Sequence, residues 1–229
     1  MPRALGRPMN AAGLQLKVSS LAEEAAWAVW LDRAESAQVA ALVDPVRRAR
    51  FVVSRGMRRK VLADLLGRAP GMLAFAGPDG TKPRLLDDGG WDFNLSHAGD
   101  LVALVAGRGA VGVDLEKIRP VREMADLVAR YFHPDEAEAW QAVSADSREE
   151  AFFVLWSARE AAVKCSGAGL ARGMAVTRVD PAILEKGWGL AVTGQEVVQL
   201  QRIAAPAGYV LVTAQAQDGG TWSPLLSGS

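Results

Sequence analysis

Four stretches of the sequence carry side chains that together could do chemistry. The first is Val111-Gly112-Val113-Asp114-Leu115-Glu116, an apolar run ending in Asp-x-Glu. Side chains alternate along a strand, so both carboxylates fall on one face, well placed to grip a divalent cation. The plainer alternative is a strand leaving the core with its acidic residues solvated. The second stretch is Trp156-Ser157-Ala158-Arg159-Glu160-Ala161-Ala162-Val163-Lys164. Trp156, Glu160 and Lys164 fall at i, i+4 and i+8 and share one helix face, which by itself also describes a surface Glu–Lys pair beneath a core tryptophan. The third is Asn94-Leu95-Ser96-His97 at the end of an apolar strand. A hydrolase triad is excluded there, because no Gly-x-Ser-x-Gly elbow exists and Ser96 sits directly beside His97. A histidine at a strand end can instead meet a phosphate or simply cap a turn. The fourth is Arg47 to Lys60, with seven basic residues and no acidic one, and Lys82 in a turn further on. The guanidinium fork matches phosphate, so Arg55 and Arg59, aligned with Phe51, suit a polyanionic small molecule; a solvated basic face is the alternative.

These residues need elements to hold them. Asp44-Pro45 marks a helix start, with Asp as cap and Pro in the first turn, and the pattern predicts a helix over 45–66 closed by Gly67. Its apolar line is Val53, Met57, Val61 and Leu65. An alanine-rich segment, 23–42, reads as an earlier helix, and residues 1–20 as a loose arm or a first strand. Turn signals at Gly77-Pro78-Asp79-Gly80 and Asp87-Asp88-Gly89-Gly90 are followed by expected strands at 91–95, 101–106 and 110–116. Helices are expected at 124–131, 134–143 and 149–164, the last closed by Ser166-Gly167, and strands at 188–192, 196–203 and 209–214. Phe51, Arg55 and Arg59 align with Phe152, Trp156 and Glu160 at a constant offset. The order helix–strand–strand thus occurs twice. This suggests an α+β fold of two pseudo-duplicated halves, 1–112 and 113–229, each a small antiparallel sheet packed with a long helix, with the active site at their junction.

Composition narrows the chemistry. Half of the 229 residues are apolar and 23% are charged, enough for a real core, while 26 basic and 26 acidic residues cancel. A chain with no net positive field is a poor non-specific nucleic-acid binder. One cysteine and two histidines cannot make a zinc site, so any metal must be held by carboxylates, which points to magnesium or manganese. No apolar stretch is long enough for a signal peptide or a membrane span, so a cytoplasmic protein is expected.

The ordered set resembles a family signature. Val-Gly-Val-Asp-Leu-Glu, then Trp-Ser-x-x-Glu-Ala-x-x-Lys with 41 residues between Asp114 and Trp156, is similar to the 4'-phosphopantetheinyl transferases, and Phe93–His97 and Lys82-Pro83 look like two further blocks of it. The length resembles the larger single-chain class typified by the surfactin-synthetase activator (Sfp type). The resemblance implies transfer of phosphopantetheine from coenzyme A to a serine of an apo acyl or peptidyl carrier protein. It further implies that Asp114, Glu116 and Glu160 hold Mg2+ (or Mn2+) with the coenzyme's pyrophosphate and that Lys164 contacts the same phosphates, with Glu160 the candidate base for the serine, directly or through water. By the same likeness Ser96, His97, Arg55 and Arg59 bind the coenzyme around its 3'-phosphate, and Lys82 lies near the adenine end. Arg159 stands where many relatives have Lys, which keeps the charge but turns a flexible ammonium into a planar fork.

The segment after the metal strand places basic Lys117, Arg119 and Arg122 among Ile118, Val121 and Met124. Carrier proteins typically present an acidic helix to these enzymes, so Ile118, Arg119, Val121, Arg122 and Met124 are expected to form the docking surface; a plain linker is the alternative. An internal duplication implies a monomer. The competing functions are a carrier-binding module without catalysis and a magnesium-dependent hydrolase of coenzyme A.

Overall fold

The computed structural model describes residues 14–77 and 82–216. In chain order its elements are β1 (Gln15–Ser20), α1 (Glu24–Ala28), α2 (Arg33–Ala41), α3 (Pro45–Leu66), β2 (Phe75–Ala76), β3 (Arg84–Leu85), β4 (Trp91–Ala98), β5 (Leu101–Arg108) and β6 (Val111–Lys117). Then follow α4 (Met124–Tyr131), α5 (Pro134–Ala142), α6 (Arg148–Ser166), α7 (Leu170–Val176), β7 (Thr177–Val179), α8 (Ile183–Lys186), β8 (Trp188–Thr193), β9 (Glu196–Ile203) and β10 (Tyr209–Ala216). The fold is α+β, as expected. The loose arm expected at the N-terminus falls largely outside the described residues, as does most of the turn at Gly77–Gly80.

Two antiparallel sheets organise the chain, one in the order β1-β5-β4 and one in the order β6-β10-β9-β8-β7, with β2-β3 as a short separate ribbon. The chain passes from one sheet to the other between Arg108 and Val111. α3 starts where its cap and proline place it, with Asp44 accepting from the Arg47 N–H at 2.6 Å, and ends on Gly67 in the left-handed region. Its buried line, Val52, Val53, Met57 and Leu62, packs with Trp27 against Phe93, Val102, Leu104 and Ala106 of the first sheet. α6 covers one face of the second sheet through Leu155, Ala158, Ala161 and Ala162, against Val198, Leu200, Val210, Val212 and Ala214. Between the sheets lies a third apolar layer, with Ala103 and Val105 of β5 against Val111, Val113 and Leu115 of β6 and Leu211 of β10.

The single helix expected over 23–42 is two short ones. Asp32 ends the first by capping the second: its carboxylate accepts from the Glu35 N–H at 2.8 Å while Glu35 reaches back to the Asp32 N–H at 3.2 Å. Glu35 is then buried against Arg58 and Arg59 of α3 at 2.7 and 2.6 Å. Leu42 also ends α2 in an extended conformation.

Candidate active site

Alternation along β6 sorts its side chains. Val111, Val113 and Leu115 enter the layer between the sheets, so Gly112, Asp114 and Glu116 face α6. At Gly112 the helix comes so close that an added Cβ would lie 2.0 Å from the Ala161 carbonyl oxygen. That approach brings the Glu160–Lys164 face of α6 onto Asp114. The Lys164 ammonium lies 2.5 Å from Asp114 Oδ1 and 3.3 Å from Glu160 Oε2. Trp156, one turn before Glu160, donates its indole N–H to Glu160 Oε1 at 2.9 Å and stacks on Phe152.

The electrostatics follow from burial of like charges. Burial first, and the Asp114 charge second, push the Glu160 carboxyl up, and the same two causes push Glu116 up. Burial alone would depress Lys164, but Asp114 and Glu160 outweigh it and raise the ammonium, which stays charged. Asp114 is 2% exposed, and its second oxygen, Oδ2, is buried with no hydrogen-bond partner among the described residues. An orphaned carboxylate oxygen beside two carboxyls of raised pKa is a donor set short of positive charge, and all-oxygen anionic donors suit a hard divalent cation. Among the described residues no three acidic, histidine or cysteine side chains already converge at ligand spacing; Lys164 occupies the space between Asp114 and Glu160.

On the other side of the junction, His97 leaves β4 toward α3. Its imidazole is held low by burial and then by the nearby charges of Arg50 and Lys164. Arg50 was missed as an individual ligand in the sequence, although it lies inside the basic run. Its Nε is buried without a partner among the described residues, as is that of Arg58 further along α3. Only the tertiary neighbourhood of His97 singles it out. Arg55 stacks its guanidinium over Phe51 at 5.3 Å and remains half-exposed.

Several residues are not where the sequence placed them. Arg59 is 4% exposed and engaged on every side: Nε with Glu35, Nη1 with the carbonyls of Pro70 and Leu73 at 2.9 and 3.0 Å, and Nη2 with Asp32. It ties α2 and the loop after α3 together, with four of its five N–H donors spent inside the fold. The Lys82 ammonium is bound to Asp92 and, at 2.8 Å, to the Val111 carbonyl. The Ser96 hydroxyl donates to Asp114 Oδ1 at 3.0 Å and accepts from the Leu115 N–H at 3.2 Å and Lys164 at 3.3 Å. One hydrogen and two lone pairs are its whole capacity, and here all three are engaged within the fold.

Arg159 turns its back on the site. It is 1% exposed and paired with Glu136 of α5, and its Nη1 reaches the Met174 carbonyl at 3.2 Å and that of Thr177. In the expected docking segment, Ile118, Val121 and Met124 pack half-buried on the protein's own core, while Arg122 is exposed. Arg119 is exposed too, but it reaches back to Glu116 at 3.1 Å and lies over the Phe153 ring. The apolar part of that surface is therefore turned inward and its basic rim outward.

Comparison with known proteins gives this geometry a context. The model of the 4'-phosphopantetheinyl transferase superfamily matches residues 110–203, which run from the start of β6 to the end of β9. The 4'-phosphopantetheinyl transferase HetI of Nostoc sp. is 34% identical over 149 residues, 62% of this chain and 63% of that protein. The 4'-phosphopantetheinyl transferase AcpT of Salmonella typhimurium is 32% identical over 140 residues, covering 61% and 69%. The corresponding figures for the 4'-phosphopantetheinyl transferase Sfp of Bacillus subtilis are 26% over 152 residues, 61% and 67%. The chain spans between half and two thirds of the length of HetI and of two further curated relatives. With the family's model lying on the strand and helix that meet at Asp114 and Glu160, and a relative matched across two thirds of its length, the chain belongs to the 4'-phosphopantetheinyl transferase superfamily.

Proposed function

We propose that the protein moves the 4'-phosphopantetheine group of coenzyme A onto a serine of an apo acyl or peptidyl carrier protein, releasing adenosine 3',5'-bisphosphate. The observation that carries this reading is the meeting of Asp114, Glu160 and Lys164 at one end of a junction whose other side presents Arg50 and His97. A cluster of carboxylates beside a cluster of cations suits a substrate that brings both a metal-bound pyrophosphate and a separate phosphate.

Asp114, Glu116 and Glu160 would hold a magnesium or manganese ion, and the partnerless Asp114 Oδ2 is the oxygen with most to gain from it. Such an ion, when bound, supplies Lewis-acid neutralisation of the charge that builds on the pyrophosphate. Lys164 adds a fixed positive charge to the same phosphates. Glu160, made more basic by burial and by Asp114, takes the proton of the incoming serine hydroxyl. The serine oxygen then bonds to the phosphorus that carries pantetheine, and the P–O bond to adenosine 3',5'-bisphosphate breaks. Arg50 and His97 receive the 3'-phosphate, with Arg50 supplying charge and the imidazole a directed N–H. Arg122 and Arg119 form the basic rim that meets an acidic carrier surface.

The test is incubation with coenzyme A, magnesium and a panel of apo-carrier proteins, read by intact mass. One phosphopantetheine should appear on at least one carrier, with stoichiometric adenosine 3',5'-bisphosphate, and a chelator should stop both. Free 4'-phosphopantetheine beside unmodified carriers would instead identify a hydrolase.

A further inference from the structure

The two sheets end in edges that face each other, β4 on one and β6 on the other, and no backbone ladder joins them. Alternate side chains of β4 do so instead. Asp92 Oδ2 accepts from the Val111 N–H at 2.9 Å, Asn94 Oδ1 from the Val113 N–H at 3.0 Å and Ser96 Oγ from the Leu115 N–H at 3.2 Å. The period of two on β4 meets the period of two on β6, so every second donor of the open edge is satisfied. Asp114 sits between the last two of these stitches. Ser96 makes two contacts that closing the edge does not require: its hydroxyl donates to Asp114 Oδ1 and accepts from the Lys164 ammonium.

We propose that Asn94 and Ser96 are positioning residues for Asp114. Asn94 fixes the backbone on one side of Asp114 and Ser96 on the other. Ser96 shares Oδ1 with Lys164, and together they leave Oδ2 buried and unpartnered. Asn94 is 6% and Ser96 8% exposed, so neither is a surface group that binds elsewhere. The inference rests on Asp114 being a metal ligand, and it assigns to the Asn-x-Ser pair the setting of that ligand's orientation. Ligand orientation by outer hydrogen bonds is worth about 10- to 100-fold in metal affinity.

The experiment is Mn2+ titration of the free protein, followed by electron paramagnetic resonance of unbound Mn2+, with thermal melting of each variant and steady-state transfer alongside. Ser96→Ala and Asn94→Leu should each weaken Mn2+ binding by about 10- to 100-fold. In Ser96→Ala, kcat should recover at high metal concentration. Ser96→Thr, which keeps the hydroxyl, should restore affinity to within about threefold of the parent. Ser96→Cys, which keeps the volume with a poor donor, serves if Ser96→Ala does not fold, and should weaken binding likewise. Asp114→Asn is the control. If it loses Mn2+ while Ser96→Ala and Asn94→Leu bind as the parent does, with only their melting lowered, the two residues are structural stitches and the inference fails. If Asp114→Asn itself binds Mn2+ undiminished, Asp114 is no ligand and the reading of the site falls with it.

Discussion

The Lys164 ammonium carries three hydrogens, and the site offers it three oxygens, Asp114 Oδ1, Glu160 Oε2 and Ser96 Oγ. Its charge is therefore a structural need of the two carboxylates as well as a resource for phosphate. Cys165, the next residue, shows the opposite environment. Burial pushes its thiol up to about 12, and its hydrogen bond goes to the Ala110 carbonyl at 3.2 Å. At pH 8 only about one molecule in ten thousand would carry a thiolate there. The native protein should resist iodoacetamide at pH 8 while the protein in urea is fully alkylated, as read by intact mass. Equal labelling rates would mean that the thiol is open to solvent. The sign also fixes an alkaline dependence: a thiol whose pKa is raised on folding keeps its proton where the unfolded chain has lost it, so stability declines as pH rises above about 9.

At the scale of elements, the site depends on how closely α6 approaches β6. A methyl at position 112 would meet the Ala161 carbonyl at 2.0 Å and the Cys165 amide nitrogen at 2.7 Å, both of them backbone and unable to rotate away. Gly112→Ala should cost about 1–3 kcal/mol in urea unfolding and reduce transfer further than stability explains, because it separates Asp114 from Glu160. Parent-like activity would show that the helix gives way at no functional cost. Much of this arrangement was legible in the sequence for local reasons. Asp44, Pro45 and Gly67 delimit α3, strand alternation puts Asp114 and Glu116 together, and helical spacing puts Glu160 above Lys164. What was not legible depends on distant partners. Arg59 meets Asp32 and Glu35 at the start of α2 and the Leu73 carbonyl after α3, two separate segments, so nothing beside it in the chain distinguishes it from Arg50. Arg159 likewise owes its burial to Glu136 and to carbonyls beyond α6. β7 and α8, three and four residues long, are too short to show any periodicity.

For the whole molecule, the surface near Glu116 has two arginines with different duties. Arg122 is exposed, whereas Arg119 is bound to Glu116. Arg122→Glu should raise the KM for an acidic carrier several-fold at low salt and leave the KM for coenzyme A unchanged. Arg119→Glu should raise both, because it sets a second carboxylate beside Glu116. Identical profiles for the two variants would show that the Arg119–Glu116 contact does not separate docking from the metal site.

The stitched edges of β4 and β6 bear on how this chain can be divided. An open strand edge is a template for pairing with other chains, and proteins cover or break such edges to stay monomeric. Here each half supplies the other's cover: the β4 side chains satisfy β6, and the apolar layer of Ala103, Val105, Val113 and Leu115 is buried only while both sheets are present. A piece cut in the Arg108–Val111 connection would carry one bare edge and one bare greasy face. Neither piece should persist alone in dilute solution, and a split version of the protein would have to be made with both parts together.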